Sequence, residues 1–234
     1  MKKIKFLLFS FLISGLLSCG QKEKDESQKS YNVLFIAIDD LNDWVGCMNG
    51  HPNAKTPNIN RLADQGVLFT NAHCQAPLCG PSRASLMTGL RPSTTGIYGQ
   101  INDNAIRKDN PVTEDLTLLP EYFSQNGYHT MGIGKLFHHH APDGVFDESG
   151  GRVSGFGPKP KERFVWPGLA NKDCNNDYGG TSTDWGAYPA ADSLMPDYES
   201  ARWTIERLNK GYDKPFFLAV GFLRPHVPWY VPQK

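Results

Sequence analysis

The chain has 234 residues, of which 39% are hydrophobic, and its 24 basic and 24 acidic side chains leave a formal net charge of zero. This length is enough to bury a hydrophobic core. The balanced charge excludes a general attraction for nucleic acid, so an anionic ligand must be bound by a local group of residues.

The first 30 residues differ from the rest of the chain in composition. A basic start, "MKKIK", precedes "FLLFSFLISGLL", an apolar run that is short for a membrane span, and the two together predict an export signal over residues 1–18. The run ends in "LLSC", which resembles a bacterial lipobox, so we expect lipid on Cys19; an ordinary soluble secretory signal is the alternative. Residues 19–30 are charged and predict a flexible tether. We therefore expect an exported lipoprotein, held on a membrane in the periplasm or at the cell surface.

The folded part is predicted to run from residue 31 to residue 234 and to begin with alternating strands and helices. A continuous apolar run from Val33 to Ile38 predicts a buried central strand, because both of its faces are apolar. "TPNINRLADQG" predicts a short helix, "VLFTNAH" a second strand, and "GPSRASLMTG" a helix that ends at Gly89.

The same alternation continues towards the end of the chain. "LTLLPEYFSQNGY" predicts a helix, "HTMGIGK" a strand, "PDYESARWTIERLNKGY" a helix with an apolar stripe, and "PFFLAVGF" a buried strand. The stripe consists of Tyr198, Ala201, Ile205 and Leu208. Residues 141–195, rich in Gly, Pro, Asn and Asp, predict a loop-rich insertion at the rim of the sheet. This order predicts an α/β fold with helices on both faces of a sheet, and we expect it to be incomplete at the C-terminus.

Two adjacent carboxylates, Asp39 and Asp40, follow the first predicted strand. Open α/β sheets bind ligands at the carboxyl ends of their strands. Neighbouring carboxylates repel each other unless a cation neutralises them, which favours a hard divalent ion bound through oxygen. A helix cap or a solvated turn is the alternative.

Cys79 stands at the start of a predicted helix, with Arg83 one turn further on. The residues alone allow a buried free thiol or a nucleophile of lowered pKa, since a helix N-terminus and an arginine both favour an anion. Besides Cys19, the chain has Cys47, Cys74 and Cys174, and the sequence does not determine how any cysteines pair.

The stretch "CGPSR", followed by Thr88-Gly89, resembles the C-x-P-S-R motif of the type I sulfatase family. The segments "NVLFIAIDDL", "GYHTMGIGKLFH" and "PFFLAVGFLRPHVPW" are similar to the iduronate-2-sulfatases within it, where two residues separate the lysine and histidine of "GKLFH". The resemblance implies an alkaline-phosphatase-like fold with a mixed sheet flanked by helices. It also implies that a maturation enzyme oxidises Cys79 to Cα-formylglycine, an aldehyde that hydrates to a diol.

The resemblance further assigns roles to individual residues. Asp39, Asp40 and the diol at position 79 would hold a calcium ion. Arg83 would stabilise the diol, Lys135 would bind the sulfate oxygens, His138 would assist the diol, and His226 would protonate the leaving alcohol. Family members draw further calcium ligands and a second lysine from a segment beyond position 234, so we expect the 234-residue chain to be inactive alone.

The resemblance therefore implies a sulfuric ester hydrolase that acts on a sulfated carbohydrate. The resemblance to the iduronate-2-sulfatases alone points to a 2-O-sulfated uronic acid or a related sugar of a polysaccharide as the expected substrate. Two alternatives stay open. One is a phosphatase or phosphonate hydrolase of the same superfamily, which could use the same pocket. The other is a truncated carbohydrate-binding or degenerate protein without catalytic activity.

Overall fold

A computed structural model describes residues 30–108, 111–151, 155–165 and 183–234. The chain divides into two compact units, Met1–Tyr31 and Asn32–Lys234. The predicted export signal, and all but Ser30 of the predicted tether, lie outside the described residues. None of the helices in the described ranges is long and apolar enough to cross a membrane.

The second unit contains both strands and helices, as the sequence predicts, but four α-helices follow the first strand before the next described strand begins. The strands are β1 (Val33–Ile38), β2 (His129–Gly134), β3 (Glu148–Gly151), β4 (Trp185–Ala187), β5 (Phe216–Phe222) and β6 (Trp229–Val231). The α-helices are α1 (Pro57–Gln65), α2 (Cys79–Thr88), α3 (Pro92–Thr95), α4 (Leu119–Gln125) and α5 (Pro196–Leu208). Short 3-10 turns cover Gly46–Met48, Asp103–Ala105, Pro111–Thr113 and Asp192–Leu194. The predicted α/β class is therefore confirmed.

The main sheet has four strands in the order β1-β5-β2-β3, and β4 pairs with β6 in a second small sheet. A mixed sheet was expected, whereas every pairing among the described strands is parallel. Ile38 of β1 lies opposite Phe222 of β5, and Gly134 of β2 lies opposite Gly221. The carboxyl ends of these three neighbouring strands thus meet at one edge of the sheet.

Strand β5 forms the centre of the unit because it is apolar along its whole length. Phe217 and Ala219 point into one core cluster, which α2 and α4 complete, while Phe216, Leu218 and Val220 point into a second cluster. Trp203 of α5 belongs to that second cluster. Alternate residues of one strand therefore pack against helices on opposite faces of the sheet.

Two strand predictions need correction. Strand β1 pairs only with β5 among the described residues, and Leu34 and Ile36 on one of its faces are 43% and 46% exposed, so within the described sheet β1 lies at the edge rather than at the buried centre. "VLFTNAH" is not a strand in the structure: Val67 and Phe69 are 81% and 76% exposed, and the segment pairs with no described strand.

The predicted helix over "PDYESARWTIERLNKGY" forms as α5, but its buried face differs from the predicted stripe. Tyr198, Ile205 and Leu208 are exposed, and the helix instead buries Pro196, Ser200, Trp203 and Thr204. The Ser200 and Thr204 hydroxyls donate to main-chain carbonyls one turn back, at 3.3 and 2.8 Å, so they can be buried without losing hydrogen bonds.

The predicted insertion at 141–195 contributes regular structure to the fold. Strand β3 lies within it and extends the main sheet by pairing with β2, and β4 pairs with β6 near the end of the chain. Residues 152–154 and 166–182 of this segment, with Cys174, lie outside the described residues. Among the described cysteines, Cys47, Cys74 and Cys79 are free thiols.

Two glycines allow β2 and β5 to end side by side. Gly134 has a φ of +81°, and a Cβ on Gly221 would lie 2.2 Å from the carbonyl oxygen of Lys135. Since the obstacle is main chain, it cannot move aside as a flexible side chain can.

We predict that Gly221→Ala destabilises the fold by about 1–3 kcal/mol, because the added methyl group pushes the two strand ends apart. Urea denaturation measures the effect. Gly211→Ala is the matched control, since a Cβ at this exposed glycine meets no atom within 4 Å. Equal stability of the two variants would contradict the close approach.

Candidate active site

Three of the predicted site residues follow three neighbouring strands. Asp39 comes directly after β1, and its amide donates to the carbonyl of Phe222 at 3.0 Å. Lys135 comes directly after β2, and its amide donates to the carbonyl of Gly221 at 2.8 Å. His226 lies on the turn that follows β5. The sheet therefore brings residues together that are up to 187 positions apart, since 226 − 39 = 187.

Asp39 is the centre of a buried ion cluster. Its Oδ1 accepts from Nη2 of Arg83 at 2.7 Å, and its Oδ2 accepts from Nζ of Lys135. All three residues are less than 10% exposed. Burial by itself raises the pKa of Asp39, but the hydrogen bonds and positive charges of Lys135 and Arg83 outweigh it and hold the pKa below its usual value. With Asp39 ionised, the cluster carries two positive charges and one negative charge.

Arg83 joins helix α2 to the sheet. Besides Asp39, its guanidinium donates to the main-chain carbonyl of Lys135 and, at 3.4 Å, to that of Leu136. The planar group has several donors in fixed directions, so it can hold a carboxylate and carbonyls at once. Its contacts in the structure thus orient Asp39 and the loop after β2.

Cys79 is the first residue of α2, and its side chain faces the ion cluster. Its Sγ lies 3.7 Å from Nζ of Lys135. A hydrogen bond with His226 lowers the pKa of Cys79, burial opposes this effect, and the charge of Lys135 adds to the lowering. The position therefore favours an anionic or strongly polarised atom.

His226 lies beside Cys79, with a ring nitrogen within 4.8 Å of Sγ. Its Nδ1 is 2.6 Å from the carbonyl oxygen of Val227, which accepts a proton but cannot donate one, so Nδ1 carries hydrogen and Nε2 is the atom available to the pocket. The hydrogen bond with Cys79 raises the pKa of His226, against the effect of burial. The ring can therefore hold a proton beside residue 79.

The turn that carries His226 is fixed by two side chains. Both carboxylate oxygens of Asp197 accept main-chain amides, from Leu223 and Arg224, at 2.8 Å each. The Arg224 guanidinium donates to the carbonyl of His226 at 2.6 Å, and also to the carbonyls of Pro228 and Phe156. Arg224 thus supports the turn through the main chain.

Asp40 has an unusual backbone. Its φ is +58°, a left-handed backbone conformation that residues other than glycine, asparagine and aspartate rarely adopt. Its side chain is 53% exposed, and Oδ2 lies 3.8 Å from Nε2 of His226. Such backbone conformations are concentrated at functional sites, where the surrounding structure holds them in place.

His138 lies on the loop after Lys135, three positions further along the chain. Its amide donates to Asp103 at 3.1 Å, and its ring is 4.3 Å from the ring of His139. Of the described histidines, cysteines and acidic residues, those that converge as a possible ligand group are Asp39, Cys79 and His226, with their ligand atoms within 4.8 Å of one another. Neither Asp40 nor His138 belongs to this group, although Asp40 lies next to its member His226.

Four residues that sequence reasoning missed support the site: Gln100, Asp103, Phe156 and Asp197. The Phe156 ring lies 5.0 Å from the His226 ring and 5.7 Å from Nζ of Lys135, so it covers the buried lysine. Asp103 and Asp197 each use both carboxylate oxygens to hold main-chain amides. No local motif marks such residues, because each one acts on a part of the chain that is distant in sequence.

Comparison with known proteins identifies the family. The family model described as Sulfatase matches residues 31–234. The chain belongs to the sulfatase family. It is 60% identical over 231 residues to a sulfatase of Formosa agariphila, covering 96% of this chain and 46% of that protein. It is 32% identical to the iduronate 2-sulfatase of Homo sapiens, covering 92% of this chain and 38% of that protein. The chain thus spans less than half the length of these two relatives.

Solved structures of sulfatases and of a related hydrolase show the same fold. One, determined in complex with its substrate D-glucosamine-2-N,6-O-disulfate, matches 86% of this chain and 36% of its own, at 26% identity and a TM-score of 0.56. The phosphonate monoester hydrolase of Agrobacterium radiobacter matches 87% of this chain and 43% of its own, at 24% identity and a TM-score of 0.56. The predicted alkaline-phosphatase-like α/β fold is confirmed.

We predict that unconverted Cys79 reacts as a thiolate at lower pH than a free cysteine does. A lowered pKa leaves more thiolate in mildly acidic solution, so iodoacetamide should alkylate Cys79 in the chain at a pH where it hardly alkylates a synthetic peptide of residues 75–83. Mass spectrometry of the Cys79 peptide measures the rate in chain made without a maturation enzyme.

The variant His226→Gln tests whether the hydrogen bond with His226, rather than the exposure of the thiol to solvent, makes Cys79 reactive at lower pH. Because the His226 hydrogen bond is the main contribution to the lowered pKa, the variant should move the pH profile towards that of the free peptide. If Cys79 in the chain without this substitution shows the same pH profile as the free peptide, the interaction with His226 is contradicted.

Proposed function

We propose that this chain carries the catalytic pocket of a sulfuric ester hydrolase that acts on a sulfated carbohydrate. The observation that carries the proposal is the buried excess of positive charge. Arg83 and Lys135 face a single buried carboxylate, Asp39, directly beside Cys79 and His226. A pocket with this balance of charge favours an anionic ester, and the groups around it can supply a nucleophile and a proton.

Lys135 is the residue proposed to bind the sulfate oxygens. Its ammonium is 1% exposed and lies 3.7 Å from the side chain of residue 79, so an anion that it holds would lie within reach of that position. Arg83 is committed to Asp39 and to main-chain carbonyls, which suits it to a positioning role. In this proposal Lys135 binds substrate and Arg83 maintains the geometry.

His226 is proposed to donate the proton that the leaving alcohol needs. Its Nδ1 hydrogen is held by the carbonyl of Val227, its Nε2 faces the pocket, and its pKa is raised. An imidazolium in this place can give its proton to an ester oxygen as the bond to sulfur breaks. His138, on the neighbouring loop, is proposed to contact the side chain of residue 79.

Residue 79 is proposed to act as formylglycine, made from Cys79 by a maturation enzyme. The support is the "CGPSR" motif together with the position of Cys79 at the start of α2, beside Lys135 and His226. The hydrated aldehyde would supply an oxygen nucleophile and a second hydroxyl. The lowered pKa of the thiol shows that the surrounding groups favour negative charge at this position.

Asp39 and Asp40 are proposed to hold calcium together with an oxygen at position 79. The support is the chemistry of the donors: two consecutive carboxylates follow β1, a carboxylate oxygen of Asp39 lies within 4.8 Å of the ligand atom of residue 79, and formylglycine would offer oxygen there in place of sulfur. The ion would supply positive charge that stabilises an oxyanion at residue 79.

The proposed substrate is a 2-O-sulfated uronic acid or a related sugar of a polysaccharide. Support comes from the spacing of Lys135 and His138, and from relatives that carry the names iduronate 2-sulfatase and ulvan-active sulfatase at 32% and 33% identity. A polysaccharide substrate would be met outside the cytoplasm, which agrees with the proposed export of the protein. We propose that the protein is a lipoprotein anchored through Cys19, in the periplasm or on the cell surface, on the evidence of its first 19 residues.

Turnover by protein purified from its native host tests the function. We expect release of sulfate from 4-nitrophenyl sulfate to exceed release of phosphate from 4-nitrophenyl phosphate. Chelation should abolish the release and calcium should restore it. The variant Asp40→Asn should reduce sulfate release by at least about tenfold, because it removes a charged ligand and keeps a side chain that tolerates the left-handed backbone.

Asp64→Asn is the matched control, since Asp64 is an exposed carboxylate on α1. It should leave sulfate release unchanged. Preference for the phosphate ester would support the phosphatase alternative. If the native protein releases neither sulfate nor phosphate, a non-catalytic role would be supported.

A further inference from the structure

A groove of about 540 Å³ opens beside the loop that carries His138. It is lined by Gln100, Ile101, Asn102, Asn104, His139 and His140. One wall is the segment that leads into the 3-10 turn Asp103–Ala105, and the other is the end of the loop after β2. The volume is in the range of sites that bind small organic ligands.

The lining suits a molecule rich in hydroxyl groups. Three carboxamides offer both N–H donors and C=O acceptors, and each of the two imidazoles can donate or accept. Among the described residues none of those that line the groove is a carboxylate, and the carboxylate of Asp103 behind it is 3% exposed, which limits repulsion of the anionic groups of a sulfated saccharide. Ile101 adds an apolar contact for the C–H face of a sugar ring.

The two walls are fixed to each other by Asp103. Its carboxylate is 3% exposed, and its two oxygens accept the amides of His138 and His139 at 3.1 and 2.5 Å. Asn102 caps the same 3-10 turn by accepting the amide of Asn104 at 3.2 Å. A ligand would therefore enter a groove whose shape is set in advance, which lowers the entropic cost of binding.

Both walls of the groove contact residues that neighbour the candidate active site. The Gln100 Oε1 accepts the amide of Gly80, the residue after Cys79, at 2.8 Å. The contact is close, since a Cβ on Gly80 would lie 2.5 Å from that oxygen. On the other wall, the His139 ring is 4.3 Å from the His138 ring.

We propose that this groove is a subsite for the sugar unit next to the sulfated one, so that the protein recognises a saccharide chain rather than an isolated sulfated sugar. The inference rests on the proposed sulfatase function, because the sulfated unit would occupy the pocket at Lys135. Hydrogen bonds from Asn104 and His140 to the hydroxyls of the neighbouring unit would supply the recognition.

Steady-state kinetics of the native-host protein test the subsite. The probes are sulfated tetrasaccharides from heparan sulfate, dermatan sulfate and ulvan, with 4-nitrophenyl sulfate as a substrate that has no second sugar. For each of Asn104→Ala and His140→Ala, we expect KM for the preferred tetrasaccharide to rise about five- to tenfold, the loss of about one hydrogen bond. Hydrolysis of 4-nitrophenyl sulfate should not show this rise.

Asn53→Ala is the matched control, because Asn53 is an exposed asparagine outside the groove. It should change neither substrate's KM. An unchanged tetrasaccharide KM in both groove variants, or an equal rise for both substrates, would overturn the subsite.

A second measurement separates this inference from the proposed function. Binding of the desulfated tetrasaccharides to the chain, measured by calorimetry, depends on the groove and not on the sulfate pocket. Weaker binding by Asn104→Ala than by Asn53→Ala would support the subsite even if no sulfate were released. If none of the three desulfated tetrasaccharides binds and none of the sulfated ones is hydrolysed, the subsite is contradicted.

Discussion

The buried carboxylate of Asp39 is the interaction on which the rest of the site depends. It joins three parts of the chain: the end of β1, helix α2 through Arg83, and the end of β2 through Lys135. Removing the carboxylate would leave two cations without a counter-charge in a place that water hardly reaches, which costs several kcal/mol in typical proteins. The geometry around residue 79 is therefore a consequence of how Asp39 is neutralised.

The same arrangement gives the pocket its chemical character. One carboxylate cannot balance two cations, so positive charge remains next to Cys79, and His226, whose pKa is raised mainly by its hydrogen bond with Cys79, adds a ring that can hold a proton there. Support comes from a set of residues that act on the main chain. Asp103 fixes the loop of His138 and Asp197 fixes the turn of His226, so the reactive side chains are carried by segments with satisfied amides. This division between reactive and supporting residues is expected of a preorganised site.

The position of Asp39 could be predicted from the sequence, because it follows an apolar strand and open sheets bind ligands at the carboxyl ends of their strands, whereas Lys135 and His226 were expected from the family resemblance. Their partners could not, since the contact of Arg83 with Asp39 depends on where α2 lies over the sheet. An apolar run also does not reveal how many neighbours a strand has, which is why β1 was expected at the centre. In α5, hydroxyls that donate one turn back allowed Ser200 and Thr204 to be buried in place of the predicted apolar stripe.

The proposed chemistry requires an oxygen nucleophile at position 79, beside the ion cluster of Asp39, Arg83 and Lys135. The intact mass of the peptide that contains residue 79, isolated from the protein made in its native host, tests this requirement. We expect the mass of formylglycine or its hydrate, with sulfur absent. A peptide that retains an unmodified thiol would rule out an oxygen nucleophile at this position.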